Sequence, residues 1–212
     1  MNQRLYLDLK QRLDLTTFIH RTFKTVAPAQ TYHGNWHIKA MAHYLGLCAS
    51  GKIKRLLITL PPRHLKSICA SVAFPAWVLG HDPSKRIICA SYSADLASKH
   101  AHDCRIVMEA NWYQRIFPYT RISKKNAEMD FRTTRHGYRY STSIGGTLTG
   151  RGGNILIIDD PLKSERLRTW AALFVSTVVR SPAYTGTRIQ SGLTAETSMT
   201  DAFAEITCEG DA

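Results

Sequence analysis

Two short pieces of this chain carry side chains that could act together on a phosphate. One is Lys66-Ser67, which follows the apolar run Arg55-Leu-Leu-Ile-Thr-Leu60 and the turn signal Pro61-Pro62, and opens a helical pattern. The other is Asp159-Asp160, which closes the apolar run Ile155-Leu-Ile-Ile158. A phosphate loop needs this order of strand, tight loop, helix and later acid-terminated strand. Backbone amides and a helix N-terminus cradle the phosphates, a lysine neutralises their charge, and a hydroxyl holds a magnesium ion. The acid closing the later strand completes the metal shell, and a neighbouring carboxylate can position or deprotonate the attacking water. Those roles fall here to Lys66, Ser67, Asp159 and Asp160. The usual pattern is GxxxxGK followed by Ser or Thr. At those positions this chain has Leu60, Pro61, Pro62, Arg63, His64, Leu65, Lys66 and Ser67. Both glycines are absent, so by residue type alone a plain helix start is the competing explanation of Lys66-Ser67.

The elements that must position these residues can be followed along the chain. Leu5, Leu9, Leu13, Phe18 and Phe23 fall at roughly helical spacing and predict one amphipathic helix ended by Pro28. A second helix is expected from about Trp36 to Cys48, closed by Ser50-Gly51. Arg55 to Leu60 predicts a strand. Ser67 to Leu79 suits a helix that Pro75 must kink or end early. Arg86 to Ser91 predicts a buried strand, and a helix follows from about Ser93 to Met108. Trp112 to Phe117 predicts a short turn or helix in which Trp112 and Tyr113 pack. Alternation from Asp130 to Ser143 around Gly137 predicts a hairpin. Gly145 to Gly153 is a flexible loop feeding the strand that ends in Asp159-Asp160-Pro161. Strand and helix alternating in this way give an α/β fold, a mostly parallel sheet with helices on both faces. After Ser164 the character shifts. The apolar run Ala171 to Val179 is expected as a terminal helix, followed by a loose tail. The chain thus divides into an N-terminal helical segment 1–35, a phosphate-loop core 36–164 and a divergent tail 165–212.

Composition narrows the classes. The 212 residues hold 28 Lys and Arg against 16 Asp and Glu, a formal net charge of +12, with 44% hydrophobic residues. That is enough apolar material for one core and excludes intrinsic disorder and collagen-like repeats. No run approaches the ~18 apolar residues that cross a bilayer, so no membrane association is expected. Met1 to Lys10 alternates charged and apolar residues, unlike the unbroken apolar core of a secretory signal. Cys48, Cys69, Cys89, Cys104 and Cys208 show no CxxC spacing and sit mostly in apolar segments, so they are expected as free thiols in a reducing cytosol. Residues 1–160 carry 23 basic and 10 acidic residues, a net +13, whereas residues 161–212 carry 5 basic and 6 acidic, a net −1. A basic body suits a polyanionic partner as well as a solvated basic surface. His100-Ala-His102-Asp-Cys104 contains metal-capable side chains, but helical spacing separates the histidines. Cys104 is therefore expected in the core and the histidines exposed.

The whole run Leu57-Ile-Thr-Leu-Pro-Pro-Arg-His-Leu-Lys-Ser67 resembles the deviant phosphate loop of large terminase subunits, the ATP-driven DNA-packaging motors of tailed phages. In that family the string is typically Pro-Pro-Arg-His-Gly-Lys-Ser. Trp36-His37 looks like the family's adenine-side segment. Ser91-Tyr-Ser-Ala-Asp-Leu-Ala97 is similar to its SYSxxLA stretch, and Gly150-Arg-Gly-Gly-Asn-Ile-Leu-Ile-Ile-Asp-Asp-Pro161 to its glycine loop and metal-binding strand.

The resemblance implies a P-loop NTPase-like fold, incomplete at the C-terminus, and ATP hydrolysis coupled to packaging of double-stranded DNA. It implies ATP and Mg2+ as cofactors, with Trp36, His37, Pro62, Arg63, His64, Leu65, Lys66 and Ser67 along the nucleotide. Lys66 would bind the β- and γ-phosphates, Ser67 and Asp159 the metal, and Asp160 would stand at the catalytic carboxylate. Arg63 would touch the γ-phosphate and Arg151 a neighbouring subunit's nucleotide. The implied partners are double-stranded DNA, the portal, the small terminase subunit and further copies in a ring, all in the bacterial host cytoplasm. Two departures stand out. Leu65 replaces the glycine before Lys66, where a side chain is disfavoured if φ is positive, which predicts weak or absent hydrolysis. No nuclease domain is legible, since only Asp201 and Asp211 follow Pro161 and neither precedes a recognisable strand. The coupling motif has only Ser176-Thr177 as a candidate. Together these predict an ATPase half from a truncated prophage copy whose frame changed after about Ser164. The alternative is a non-catalytic DNA-binding remnant; a helicase-like or kinase-like enzyme fits the loop string less well.

Overall fold

The computed structural model describes residues 3–123, 127–146 and 151–161, and the backbone of two later strands. The N-terminal segment forms two helices where the spacing predicts one. α1 (Gln3–Leu13) stops at Asp14, whose carboxylate accepts the N–H groups of Thr16 and Thr17 at 3.0 and 3.1 Å and so caps α2 (Leu15–Val26). The break divides the apolar pattern. Leu15, Phe18, Ile19 and Phe23 of α2 are buried in the core, whereas Leu5, Leu9 and Leu13 of α1 are exposed.

α3 (Trp36–Ala49) starts where the Asn35 side chain accepts the Trp36 N–H at 2.7 Å. β1 (Arg55–Leu60) follows. Beyond the loop comes a π-helical turn (Ile68–Ala73) that runs into α4 (Phe74–His81). Pro75 lies at the start of α4, and the regular helix expected from Ser67 is interrupted just before it by the wider π turn. β2 (Arg86–Ser91) leads into α5 (Ala94–Glu109), whose N-cap is Ser93, and then α6 (Asn111–Ile116). The hairpin is β3 (Asp130–Arg132) and β4 (Tyr138–Ser143), and β5 is Ile155–Asp159.

The fold is α/β. Strands β3-β4-β2-β5 form a mostly parallel mixed sheet in which β2 runs parallel to both β4 and β5. Two later strands extend it. β6 (Val175–Arg180) lies antiparallel between β5 and β1, and β7 (Phe203–Thr207) runs parallel to β1 at the far edge. The terminal helix expected over 171–179 is thus a strand in its second half, which the β-branched Val175, Thr177, Val178 and Val179 favour. Asp201, expected to precede no strand, precedes β7.

Burial separates the two faces. On one, Ile87, Cys89, Ile155 and Ile157 join Leu56, Ile58 and Leu60 and the apolar sides of α2 to α6 in one large core. On the other, Ile88, Leu156 and Ile158 form a small cluster with Tyr138, Tyr140 and Ile144. That second cluster holds no helical residue among those described. Alternation along extended strands puts consecutive residues such as Ile87 and Ile88 on opposite faces.

Candidate functional site

The loop from Pro61 to Ser67 joins β1 to the π-helical turn and is pinned by its own side chain. The His64 ring Nδ1 lies 3.2 Å from the Pro61 carbonyl oxygen and 2.9 Å from that of Pro62, so its N–H can serve both. The Cys69 N–H donates to the Leu65 carbonyl at 2.9 Å. Two loop residues have left-handed backbone, Arg63 with φ 67° and Leu65 with φ 60°. Such a conformation costs a residue with a Cβ on the order of 1–2 kcal/mol. Leu65, where the family string has glycine, thus adopts the backbone that glycine favours, and its side chain packs against the main core.

At the end of the loop Lys66 is 7% exposed, and its Nζ lies 2.9 Å from Oδ1 of Asp160, itself 26% exposed. Asp160 also has positive φ, 48°, which aspartate tolerates better than most residues. Its carbonyl accepts the N–H of Tyr92, so the Ser91–Ala97 segment adjoins the acidic end of β5. Burial pushes the Asp160 carboxyl above its usual range, and the charge of Asp159 adds to this, while Lys66 opposes it. Ser67 is half-buried and its side chain caps no helical N–H.

Asp159 faces a different set of groups. It is 1% exposed, and its Oδ2 accepts the Ser71 hydroxyl at 2.8 Å. The fully buried Arg139 donates from Nη2 to the Ser71 carbonyl at 2.9 Å and from Nη1 to the Ser141 hydroxyl. In a regular α-helix the donor to that carbonyl would be the N–H of residue 75, which is proline; the guanidinium stands in its place. His100 Nδ1 is 3.7 Å from Asp159 Oδ2, too far for a hydrogen bond. Burial holds the His100 pKa below its usual value despite the nearby Asp159 charge.

Ser71, Arg139 and the burial of His100 are not visible in the motifs. His100, expected on the surface, is buried, while His102 is exposed and Cys104 buried as expected. One signal was present for His100. Ala97, His100, Ala101 and Cys104 follow the spacing of a single helical face, and the other three members are small or apolar.

On the other side of the loop is a cavity of ≈ 330 Å³ lined by Gln30, Asn35, His37, Arg63, His64 and Leu65 among others. The rings of His37 and His64 lie 5.3 Å apart, and burial followed by the proximity of His64 lowers the His37 pKa. Trp36 does not line this cavity. It is 60% exposed and borders a neighbouring one with Tyr32 and Lys39. Pro62 and Arg63 are exposed at the loop surface. Arg151, suggested as a cation acting on a neighbour, is held locally. Its Nη1 donates to Asp130 Oδ2 at 2.8 Å, and its guanidinium lies 3.9 Å from the Tyr140 ring centroid. Thr177 lies in register with Asp159 on one side and Ile58 on the other, so the Ser176-Thr177 pair sits between the strand that feeds the loop and the strand that ends in the acids.

A hydroxyl and a carboxylate beside a lysine are hard oxygen donors of the kind magnesium takes together with phosphates and water. No cluster of three or more His, Cys, Asp or Glu side chains suited to a metal exists among the described residues. Cys48, Cys69, Cys89 and Cys104 are free and buried; Cys208 lies outside the described residues. No described helix is long and apolar enough to cross a membrane. No protein-family model matches the chain, and no curated protein matches it.

Proposed function

We propose that this chain binds ATP with Mg2+ at the Pro61–Ser67 loop and belongs to the ATPase part of a phage terminase large subunit, which couples hydrolysis to packaging of double-stranded DNA. The observation that carries the proposal is the Lys66–Asp160 pair. Residues 94 positions apart in sequence meet at 2.9 Å where the loop after β1 and the end of β5 come together. A phosphate site requires a lysine, a hydroxyl and an acid at that junction. Lys66 would move from Asp160 to the β- and γ-phosphates, and Arg63, exposed on the loop, would reach the γ-phosphate. His37, His64 and the cavity between them would take the base side. Ser67 and Asp160 are the donors best placed for Mg2+, because Asp159 is buried against Ser71. When bound, that ion would neutralise charge on the phosphates and on the departing one. Asp160, beside Lys66 at the end of the loop, is also the carboxylate that would orient the attacking water.

The net +13 of residues 1–160 supports double-stranded DNA as the polyanionic partner. The portal, the small terminase subunit and a ring of copies belong to the same proposal, as does the host cytoplasm. Calorimetric titration with ATP, with and without Mg2+, tests it. Magnesium-dependent binding lost in Lys66→Ala is the expected result.

The second reading, a non-catalytic DNA-binding protein that retains the fold without turnover, is favoured by Leu65. Its φ of 60° puts a branched side chain on backbone meant for glycine. Nucleotide binding without phosphate release, together with salt-dependent DNA binding, would select it.

A further inference from the structure

The consecutive acids at the end of β5 are assigned by resemblance as metal ligand and catalytic carboxylate, in that order. The packing around them divides the work differently. Asp159 points into the protein, where its Oδ2 takes the hydroxyl of Ser71, in the first turn behind the phosphate loop. Arg139 on β4 grips the same residue from the other side through its carbonyl, which Pro75 leaves without an α-helical donor. One residue, Ser71, is thus tied to two strands of the sheet, through its side chain to β5 and through its backbone to β4. It lies five positions after Lys66. A shift of the turn relative to β5 would move Lys66 and Ser67 relative to Asp160.

We propose that Ser71 is a positioning residue for the phosphate site and that Asp159 holds it there, serving as an anchor for the turn rather than as a ligand of the metal. The charged groups around this contact fit an internal anchor. Arg139 places a fixed positive charge beside it, and His100 on α5 is buried next to Asp159 without bonding to it. Cys69 and Cys104 add only buried thiols, whose pKa values burial raises. An acid in such surroundings has its hydrogen-bonding partners within the protein, as buried carboxylates require. Asp160, by contrast, turns outward through its left-handed backbone toward Lys66. The inference rests on nucleotide binding at the loop.

The test compares ATP affinity in excess Mg2+ with affinity in EDTA for the full chain and for Ser71→Ala, Asp159→Asn and Asp160→Asn. A charge-assisted hydrogen bond at an anchor is worth about tenfold in the quantity it controls. Ser71→Ala and Asp159→Asn are each expected to weaken binding about tenfold in both conditions, leaving the Mg2+-to-EDTA ratio at its wild-type value. Asp160→Asn alone is expected to change that ratio. Ser71→Cys preserves the volume but replaces the hydroxyl with a weak donor; it should behave as Ser71→Ala and serves if the alanine variant fails to fold. A Ser71 variant that lowers the unfolding midpoint but binds ATP as wild type does would show a merely structural residue and overturn the inference. Collapse of the ratio in Asp159→Asn, with Ser71→Ala unaffected, would make Asp159 the metal ligand and also overturn it. Absence of ATP binding by the unmodified protein would instead bring down the nucleotide proposal itself.

Discussion

Asp159 and Asp160 are neighbours in sequence but sit in opposite surroundings. Asp159 ends an extended strand inside the protein, held by a hydroxyl that a buried guanidinium backs. Asp160 begins the reversal of the chain with φ 48° and, partly exposed itself, meets the buried Lys66. A single residue of backbone separates a buried, hydrogen-bonded carboxylate from one paired with a lysine. The difference shows how a sheet end can give two consecutive acids different surroundings: alternation in the strand sends one inward, and the left-handed step turns the next toward Lys66.

Breaking the inner side has the largest expected effect. Arg139→Ala should lower unfolding free energy by about 3–5 kcal/mol, since it leaves the buried Ser71 carbonyl and Ser141 hydroxyl without their donor beside the buried Asp159 charge. Urea denaturation measures it, and a loss under about 1 kcal/mol would show that the inner network is loosely held. Breaking the outer side should cost function more than fold. Lys66→Ala is expected to reduce ATP affinity about 100-fold, as lost charge-assisted contacts to phosphate would, with little change in urea midpoint. An unchanged affinity would sink the phosphate assignment.

Relieving the loop should act in the other direction. Leu65→Gly removes a side chain beside the proposed phosphate position and is expected to raise ATP affinity by removing crowding. Because Leu65 already holds the left-handed backbone in the folded chain, the ~1–2 kcal/mol of relieved strain acts on folding stability instead. No gain in affinity would separate Leu65 from the weakness in hydrolysis expected at this site.

Acid should distinguish the two sides by sign. The pKa of His100 is lowered in the folded protein by burial, so the unfolded chain takes up its proton first as pH falls through 6.5. The stability associated with neutral His100 is present above pH 6.5 and is lost below it. His20, His37 and His81 are shifted the same way, each chiefly by burial. His100→Gln should therefore flatten, without abolishing, the fall in stability between pH 6.5 and 5. The raised Asp160 works oppositely: its folded form keeps a proton that the unfolded form loses, so its contribution is present in acid and lost as pH rises through its folded value. A steeper acid slope in His100→Gln would contradict the burial argument. The smallest effect belongs to Arg151→Ala, expected to change stability by less than about 1 kcal/mol because its pair with Asp130 is partly exposed.

Much of the frame was legible in the residues. The strands Arg55–Leu60 and Arg86–Ser91 and the hairpin around Gly137 follow from apolar runs and turn residues acting locally. The loop Pro61–Ser67 and the acid pair were legible because their chemistry is compressed into adjacent positions. What was misjudged depends on one local cap and otherwise on partners far away in sequence. Asp14 splits the first helix by capping the second. The valines of β6 form a strand between two others that supply hydrogen bonds on both sides. His100 is buried because α5 packs its face against the sheet.

By itself, the sequence determined where most strands and helices up to β5 and the charged loop lie, because hydrophobic period, proline and capping residues act over a few positions. It also marked Lys66, Ser67, Asp159 and Asp160 as the candidate residues for a phosphate site. Only the tertiary structure decided which acid faces the lysine, that Ser71 and Arg139 stand behind the loop, and that the described helices pack on one face of the sheet. Those outcomes turn on hydrogen bonds and burial between segments tens of residues apart, and nothing in local spacing specifies which distant group will satisfy a buried carboxylate or carbonyl.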